Sequence, residues 1–428
     1  MAEIRPFRAL RFTQSAGDIS ELCCPPYDII SDVERKTYLE RNPHNIIRLE
    51  LPREGHDYYA EAAKVLKQFE AEGLLKQDDR EGLYIYGEEF LVDGVRYSFK
   101  GVLSRVKIEE FSKGVVLPHE ETLSKAKADR FALMNSTMCN FSQIYSLYND
   151  ENGETQSAIE RLSAGDPEAC FTDGDGVTHR LWIINDKNEC DSICAQFASR
   201  KLYIADGHHR YETSLNFRNY LREEGRAKPG DGCDYVMMML VAMESSGLVV
   251  FPTHRIIRGL ENFDSYRLVE ACKDCFEITE FTGKDGINKA LKSKYDDGKK
   301  SFALYTGNDK WYLMTLSDGS LIDELCPGYS DAYKSLDVTV LHTLVLERVL
   351  GIDKENMANQ VNLTYTRDAS EAYDAVDSGK ANCCFIMNPT RVKEISDVAN
   401  AGEKMPQKST YFYPKLITGL VMNKFGEI

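Results

Sequence analysis

No run in this 428-residue chain approaches the ~18 uncharged residues that a membrane span needs, and the opening Met1-Ala-Glu-Ile-Arg5 has no apolar stretch of signal-peptide length. The expectation is a cytoplasmic protein without a membrane partner. Positive charge is also in deficit. Lys and Arg total 52 against 68 Asp and Glu, a formal charge of −16, and no basic stripe interrupts the imbalance. Such a surface repels nucleic acid, so direct DNA binding is disfavoured. What the composition supplies instead is 43% hydrophobic residues over a length sufficient for two or three domains.

Two metal patterns are incomplete. Cys272-Lys-Asp-Cys275 has no second cysteine pair or nearby histidine, and a structural zinc site wants four ligands. The run Asp173-Gly-Asp-Gly176 lacks the closing glutamate of a calcium loop and reads as a turn. The twelve cysteines are scattered without a secretory signal, so reduced thiols are expected, with Cys23-Cys24 and Cys383-Cys384 as packing residues.

The densest chemistry lies between Lys201 and Ser214. Leu202, Tyr203 and Ile204 are bulky and β-forming, Gly207 breaks the pattern, and Leu215, Phe217 and Leu221 recur with charges between them as on a surface helix. The reading is strand, glycine turn, helix, with Asp206 at the strand end and His208, His209 and Arg210 on the first helical turn. A helix start offers unpaired N–H groups and partial positive charge to an anion. Gly207 lets the backbone come close to a ligand and Arg210 offers a fork for phosphate oxygens. Asp206 is suited to holding a magnesium ion or taking a proton, and the two histidines titrate near neutrality. The plainer alternative is a capping aspartate followed by two solvated histidines.

Other stretches are candidates for the same pocket. Cys24-Pro-Pro-Tyr-Asp28 is a rigid turn that presents Tyr27 and Asp28. Leu117 to Ser124 brings His119 and Glu120 ahead of a predicted helix bearing Arg130, with Glu120 as a general base and Arg130 on a phosphate. Thr253, His254 and Arg255 follow the buried run Tyr235 to Met243 and are placed on the neighbouring strand. Near the end, Lys408 to Lys415 concentrates two lysines and three aromatics, either docked over a pocket with Lys408 and Lys415 as anion contacts or packed as a surface plug. Elsewhere the pattern predicts helices over Ser31 to Arg41 and Tyr58 to Glu72, a strand over Asn45 to Leu51, a hairpin through Asp93-Gly94, and a strong helix over Asp337 to Leu350.

Asp206-Gly-His-His-Arg210 after a hydrophobic strand resembles the turn of the ParB/sulfiredoxin superfamily, and most closely that of the archaeal free-serine kinases. With Ile4-Arg-Pro-Phe-Arg-Ala9, Phe251-Pro-Thr-His-Arg255 and Met405-Pro-Gln-Lys-Ser-Thr-Tyr-Phe-Tyr-Pro-Lys415, nearly the whole chain is similar to domain-of-unknown-function family 1015, whose members are often labelled ParB/RepB-like. The resemblance implies an α/β fold: a mixed-sheet ParB/sulfiredoxin-like core over residues 1–262 and a smaller α/β region over 263–428, whose tail packs back on the core. Sulfiredoxins carry a cysteine where this chain has His208, and ParB turns carry a second arginine that is absent here.

The function expected from motif and resemblance together is a nucleotide-dependent phosphotransferase acting on a small hydroxyl metabolite such as serine. Its partners would be that substrate, Mg2+ at Asp206, and ATP, ADP or CTP. Asp206, His208, His209 and Glu120 would be catalytic, and Gly207, Arg210, Thr253, His254 and Arg255 would hold phosphates. His119, Arg130, Lys408 and Lys415 would serve the substrate. The alternative is a ParB-like switch that binds CTP or ATP without metabolite chemistry, and DNA partitioning comes third. A homo-oligomer is left open.

Overall fold

The structure, a computed structural model, describes residues 1–120, 122 and 124–426, without the side chains of residues 124–126. Among them the chain forms two compact units. The first comprises residues 1–118, 122–249 and the tail from 414, and the second comprises residues 119–120 and 250–413. The architecture is mixed α/β. None of the described helices is long and apolar enough to cross a membrane.

The first unit is built on a nine-stranded mixed sheet. From one edge its strands run Val116–Leu117, Leu202–Asp206, Ile144–Tyr148, Tyr235–Ala242, Val95–Lys107, Leu83–Val92, Thr178–Ile184 and Ala169–Thr172, and Ile4–Arg5 pairs beside Val95–Lys107. Tyr235–Ala242 is buried along its full length, as its unbroken apolar run requires. The long hairpin Leu83–Val92/Val95–Lys107 closes where Asp93 and Gly94 take φ values of 51° and 77°, the left-handed pair that the tight turn demands. The tail joins this unit by backbone bonds, Leu10 N–H donating to Met422 O at 2.9 Å and Cys24 N–H to Thr418 O at 3.1 Å.

Two expectations need correction. Asn45 to Leu51 is not a strand: Ile47–Glu50 is a single helical turn. Its alternating apolar residues mimic a strand, but the Asn45 side chain accepts the Ile47 N–H at 2.9 Å and turns the backbone at that point. The strand His254–Ile257 does not neighbour Tyr235–Ala242. It lies inside the second unit's sheet, between Cys383–Met387 and Leu363–Thr366. Both flanking partners come from more than a hundred residues further on, which no local pattern announces.

That second sheet has six strands, all antiparallel, in the order Phe276–Thr282, Lys310–Leu316, Ser301–Tyr305, Cys383–Met387, His254–Ile257, Leu363–Thr366. The helix expected over Asp337 to Leu350 begins as an α-helix at Asp337–Leu341 and continues as a π-helix over His342–Glu347. Cys272 and Cys275 are buried, and no group of three or more His, Cys, Asp or Glu suited to a metal occurs among the described residues.

Candidate functional site

The strand Leu202–Asp206 ends in an irregularity. Its register against Ile144–Tyr148 shifts between Ile204 and Asp206, a bulge that re-aims the last side chain. Gly207 follows at φ +92° and caps the helix His208–Glu223. A Cβ at this position would lie 2.9 Å from Nε of Arg210, so glycine serves both the backbone angle and the approach of that guanidinium.

Asp206 is enclosed by cations. Its Oδ2 accepts from Arg210 Nη2 at 2.6 Å, and its Oδ1 is bonded by Lys415 Nζ, 209 residues away. Arg210 also donates to the carbonyl of Gln143, whose own amide donates to Ile417 O at 2.9 Å. Burial alone would raise the pKa of Asp206, but the charges of Lys415 and Arg210 outweigh it and hold the carboxylate far below its ordinary value. With those two cations against it, the Asp206 carboxylate is held ionised. For magnesium, both oxygens already face cations, and Asp206 belongs to no group of three or more His, Cys, Asp or Glu suited to a metal among the described residues.

On the other side of Arg210 lies a small cavity of about 30 Å³, lined in part by Glu50, Arg130, Ser142 and Arg210. Glu50 is 2% exposed. It accepts from Ser142 Oγ at 2.7 Å and lies 3.5 Å from Arg130 Nη1. Burial pushes its pKa up against the opposing pull of Arg130, Ser142 and Arg210. Arg130 is itself buried. It bonds Asp129 at 2.6 Å and the Glu50 carbonyl at 2.7 Å, and its guanidinium stacks 3.9 Å from the ring centre of Tyr27. The Cys24-Pro-Pro-Tyr turn places Tyr27 against Arg130. Burial raises the pKa of the Tyr27 phenol to about 12, so it stays neutral.

The first unit thus brings together Asp206, Gly207, Arg210, Arg130 and Lys415 from the expected set. It adds Glu50, Asp129 and Gln143, which sequence reading missed. A signal was present for Glu50, the lone carboxylate in Ile46-Ile47-Arg48-Leu49-Glu50-Leu51, where Arg48 is the one other polar residue, but the strand reading masked it. His208 is buried and His209 half-buried. Further along the same helix, Glu212 accepts from Thr122 Oγ1 and from Lys127 Nζ at 2.7 Å.

The remaining candidates belong to the second unit. His119 is fully buried, with Nε2 2.9 Å from Thr410 Oγ1, and that hydroxyl also lies 3.4 Å from Glu120 Oε1. His254 Nδ1 accepts the Met387 N–H at 3.2 Å. Burial and the adjacent Arg255 push its pKa down to about 4, so His254 brings no positive charge to a phosphate. Arg255 is 2% exposed and bonds the carbonyls of Thr253 and, at 3.1 Å, Lys408. Thr253 is buried, while Lys408 is exposed with φ 56°.

The sequence profile of the DUF1015 proteins, described as proteins of unknown function, matches residues 4–339. The chain belongs to this family. No curated protein matches it. Among solved structures, a free serine kinase in complex with AMP is similar at 15% identity over 73% of this chain and 86% of that one, with a TM-score of 0.32. SbnI with a C-terminal truncation, from Staphylococcus aureus, is similar at 11% identity over 74% and 85%, with a TM-score of 0.36. A conserved hypothetical protein from Pyrococcus furiosus is similar at 14% identity over 73% and 90%, with a TM-score of 0.32.

Proposed function

We propose that the first unit of this DUF1015 protein binds a nucleoside phosphate and transfers a phosphoryl group to a small hydroxyl compound. The observation that carries the reading is the cation cluster at one turn: Arg210 and Lys415 converge on Asp206, and Arg130 and Arg210 both line the cavity that holds Glu50. Phosphate oxygens compete for those two cations in place of the carboxylate, and the turn at Gly207 brings backbone N–H groups to the same place. Glu50 is the proton acceptor. A buried carboxyl with a raised pKa has the proton affinity that Asp206 lacks. The acceptor hydroxyl oxygen attacks phosphorus while its proton passes to Glu50. The bond from phosphorus to the departing nucleotide oxygen breaks, and Arg210 and Lys415 receive the developing charge. Any magnesium arrives with the nucleotide, and no step is assigned to a protein-held ion. His119, Glu120 and Thr410 are assigned no step.

One observation favours a second reading. Both Asp206 oxygens are closed off by cations, an arrangement that a nucleotide opens simply by binding, as in a ParB-like switch. Phosphorus NMR on the purified chain with magnesium and ATP, ADP or CTP, with and without a pool of hydroxy-amino acids, separates the two. A phosphomonoester signal that requires both nucleotide and acceptor supports transfer. Bound nucleotide with no new phosphorus signal leaves the switch.

A further inference from the structure

No step of the proposed transfer uses a buried chain of ionisable side chains in the first unit. Tyr86 and Glu88 on the strand Leu83–Val92 and His179 on its neighbour Thr178–Ile184 are each 1% exposed, so these three depend on one another for their bonds. Asp173, in the turn that precedes Thr178–Ile184, completes the chain. His179 Nε2 lies 3.0 Å from Asp173 Oδ2, and His179 Nδ1 lies 2.7 Å from the Tyr86 hydroxyl. That hydroxyl donates to Glu88 Oε1 at 2.7 Å. The backbone N–H of Ile417, in the tail, bonds the same hydroxyl oxygen. Asp173 and Glu88 are the charged groups that act on the imidazole, and Phe171, with ring centres 5.1 Å apart, packs on it without charge.

Counting hydrogens shows what this arrangement requires. Asp173 Oδ1 accepts the N–H groups of Asp175 and Val177 at 2.9 Å each, so Asp173 is an ionised acceptor and His179 Nε2 carries a hydrogen toward it. The Tyr86 hydroxyl has a single hydrogen. With His179 protonated at both nitrogens, Nδ1 donates to the Tyr86 oxygen and the hydroxyl is left to donate to Glu88. With Nδ1 bare, one hydroxyl hydrogen faces two acceptors, Nδ1 and Glu88 Oε1, and whichever it leaves is buried and unpaired. A hydrogen that turns to Nδ1 sets the hydroxyl's lone pairs against the Glu88 carboxylate, and the repulsion moves the oxygen on which Ile417 is held. Against its burial, Asp173 and Glu88 raise the pKa of His179 to about 8, which keeps the ring doubly protonated through neutrality.

The tail that Ile417 anchors is the one that delivers Lys415 to Asp206. The Ile417 carbonyl accepts from the Gln143 side chain at 2.9 Å, and the Gln143 carbonyl in turn holds Arg210. The buried chain also lies close behind the turn. Tyr145 pairs with Asp206 across the strands, and the charges of Glu88 and Asp206 both act on its phenol.

We infer that Asp173, His179, Tyr86 and Glu88 form a proton-operated latch that positions Lys415. With both His179 nitrogens protonated, the tail is seated at Ile417 and Lys415 meets an anion at the Asp206 turn. With Nδ1 bare, the seat loosens. The task given to Lys415 rests on the reading that the turn binds a nucleoside phosphate, whereas the latch on the tail does not.

Amide exchange of the full chain, followed by mass spectrometry between about pH 6.5 and 9.5 and corrected for the intrinsic pH dependence of exchange, reads the seat in peptides covering residues 414–420. Protection should fall by about tenfold across a step near pH 8. Asp173→Asn removes one of the two charges that favour the protonated ring, so the step should move to lower pH by about one pH unit, a shift that altered packing alone does not produce. Tyr86→Phe should abolish the step. ADP, whose phosphates carry full charge above about pH 7, should bind about tenfold more weakly at pH 9 than at pH 7.5, and Asp173→Asn should show the weaker affinity already at pH 7.5. Exchange of residues 414–420 without a step, or a step that stays in place in Asp173→Asn, overturns the latch. A step in exchange with ADP affinity equal at the two pH values overturns its link to Lys415. ADP that binds at neither pH removes the phosphate reading, and the exchange step then decides the latch by itself.

Discussion

Replacing Gly207 with alanine should damage the chain by two separable routes, and a second glycine in the same unit measures one of them alone. Gly207 and Gly153 both cap helices from the left-handed region, at φ +92° and +64°. An alanine in that region costs about 1–2 kcal/mol at either position. Among the described residues nothing lies within 4 Å of a Cβ added at Gly153, so the backbone term is the whole effect. At Gly207 the Cβ meets Arg210 Nε at 2.9 Å and Cζ at 3.0 Å. The guanidinium is the free end of a flexible side chain and moves away, but it then gives up the 2.6 Å bond to Asp206 and its bond to Gln143. A charge-assisted bond of this kind is worth about 1.5–3 kcal/mol. Gly207→Ala should therefore destabilise the first unit by about 2.5–5 kcal/mol against about 1–2 kcal/mol for Gly153→Ala. Urea unfolding followed by circular dichroism reads both through the same transition, and nucleotide titration should show binding lost in Gly207→Ala alone. Equal destabilisation by the two substitutions, with nucleotide binding kept in both, would refute the claim that this glycine sets the position of Arg210.

Further consequences can be measured directly. Glu50→Gln should lower turnover by about 10²–10⁴-fold, the usual worth of a general base, with nucleotide affinity kept and thermal stability unchanged or raised because a buried charge is removed. In the native chain, kcat/KM should fall on the acid side at a pH above the ordinary glutamate value, following the raised pKa of Glu50, and no limb should follow Asp206. The two units should respond to pH in opposite directions. Against its own burial, Asp173 and Glu88 raise the pKa of His179 from 6.5 to about 8, so it adds about 2 kcal/mol to the first unit below pH 6.5, lost as pH rises through 8. His179→Gln should flatten that dependence in pH-resolved urea unfolding. Burial lowers the pKa of His254 from 6.5 to about 4, so the second unit should lose about 3 kcal/mol as pH falls from 6.5 through 4. Proton NMR titration of the His254 ring would refute this with a midpoint near 6.5.

Local signals in the sequence carried most of the element assignments, and they did so where one cause dominated. Asp93-Gly94 closed its hairpin because two left-handed residues suit few other uses, and Ser31 capped its helix with a reciprocal bond to Glu34. Asn45 to Leu51 failed because period-two alternation competed with an asparagine turn, and a side-chain hydrogen bond decided the matter. Thr253 to Arg255 failed for a different reason. The strand itself was legible, but its neighbours, Leu363–Thr366 and Cys383–Met387, are remote in sequence.

The chain's strand, glycine turn and helix around Asp206 follow from the sequence by itself, because backbone angle, apolar period and helix start are properties of neighbouring residues. So do the net negative charge and the lack of a spanning apolar run. The chemistry of the turn was decided only by tertiary structure. The pKa of Asp206 is lowered because Lys415, 209 residues later, folds against it together with Arg210. Glu50 holds its proton more tightly because the fold removes it from water. Proton affinity depends on which charges lie within a few ångströms and on how much solvent remains, and neither is a property of residues adjacent in the chain.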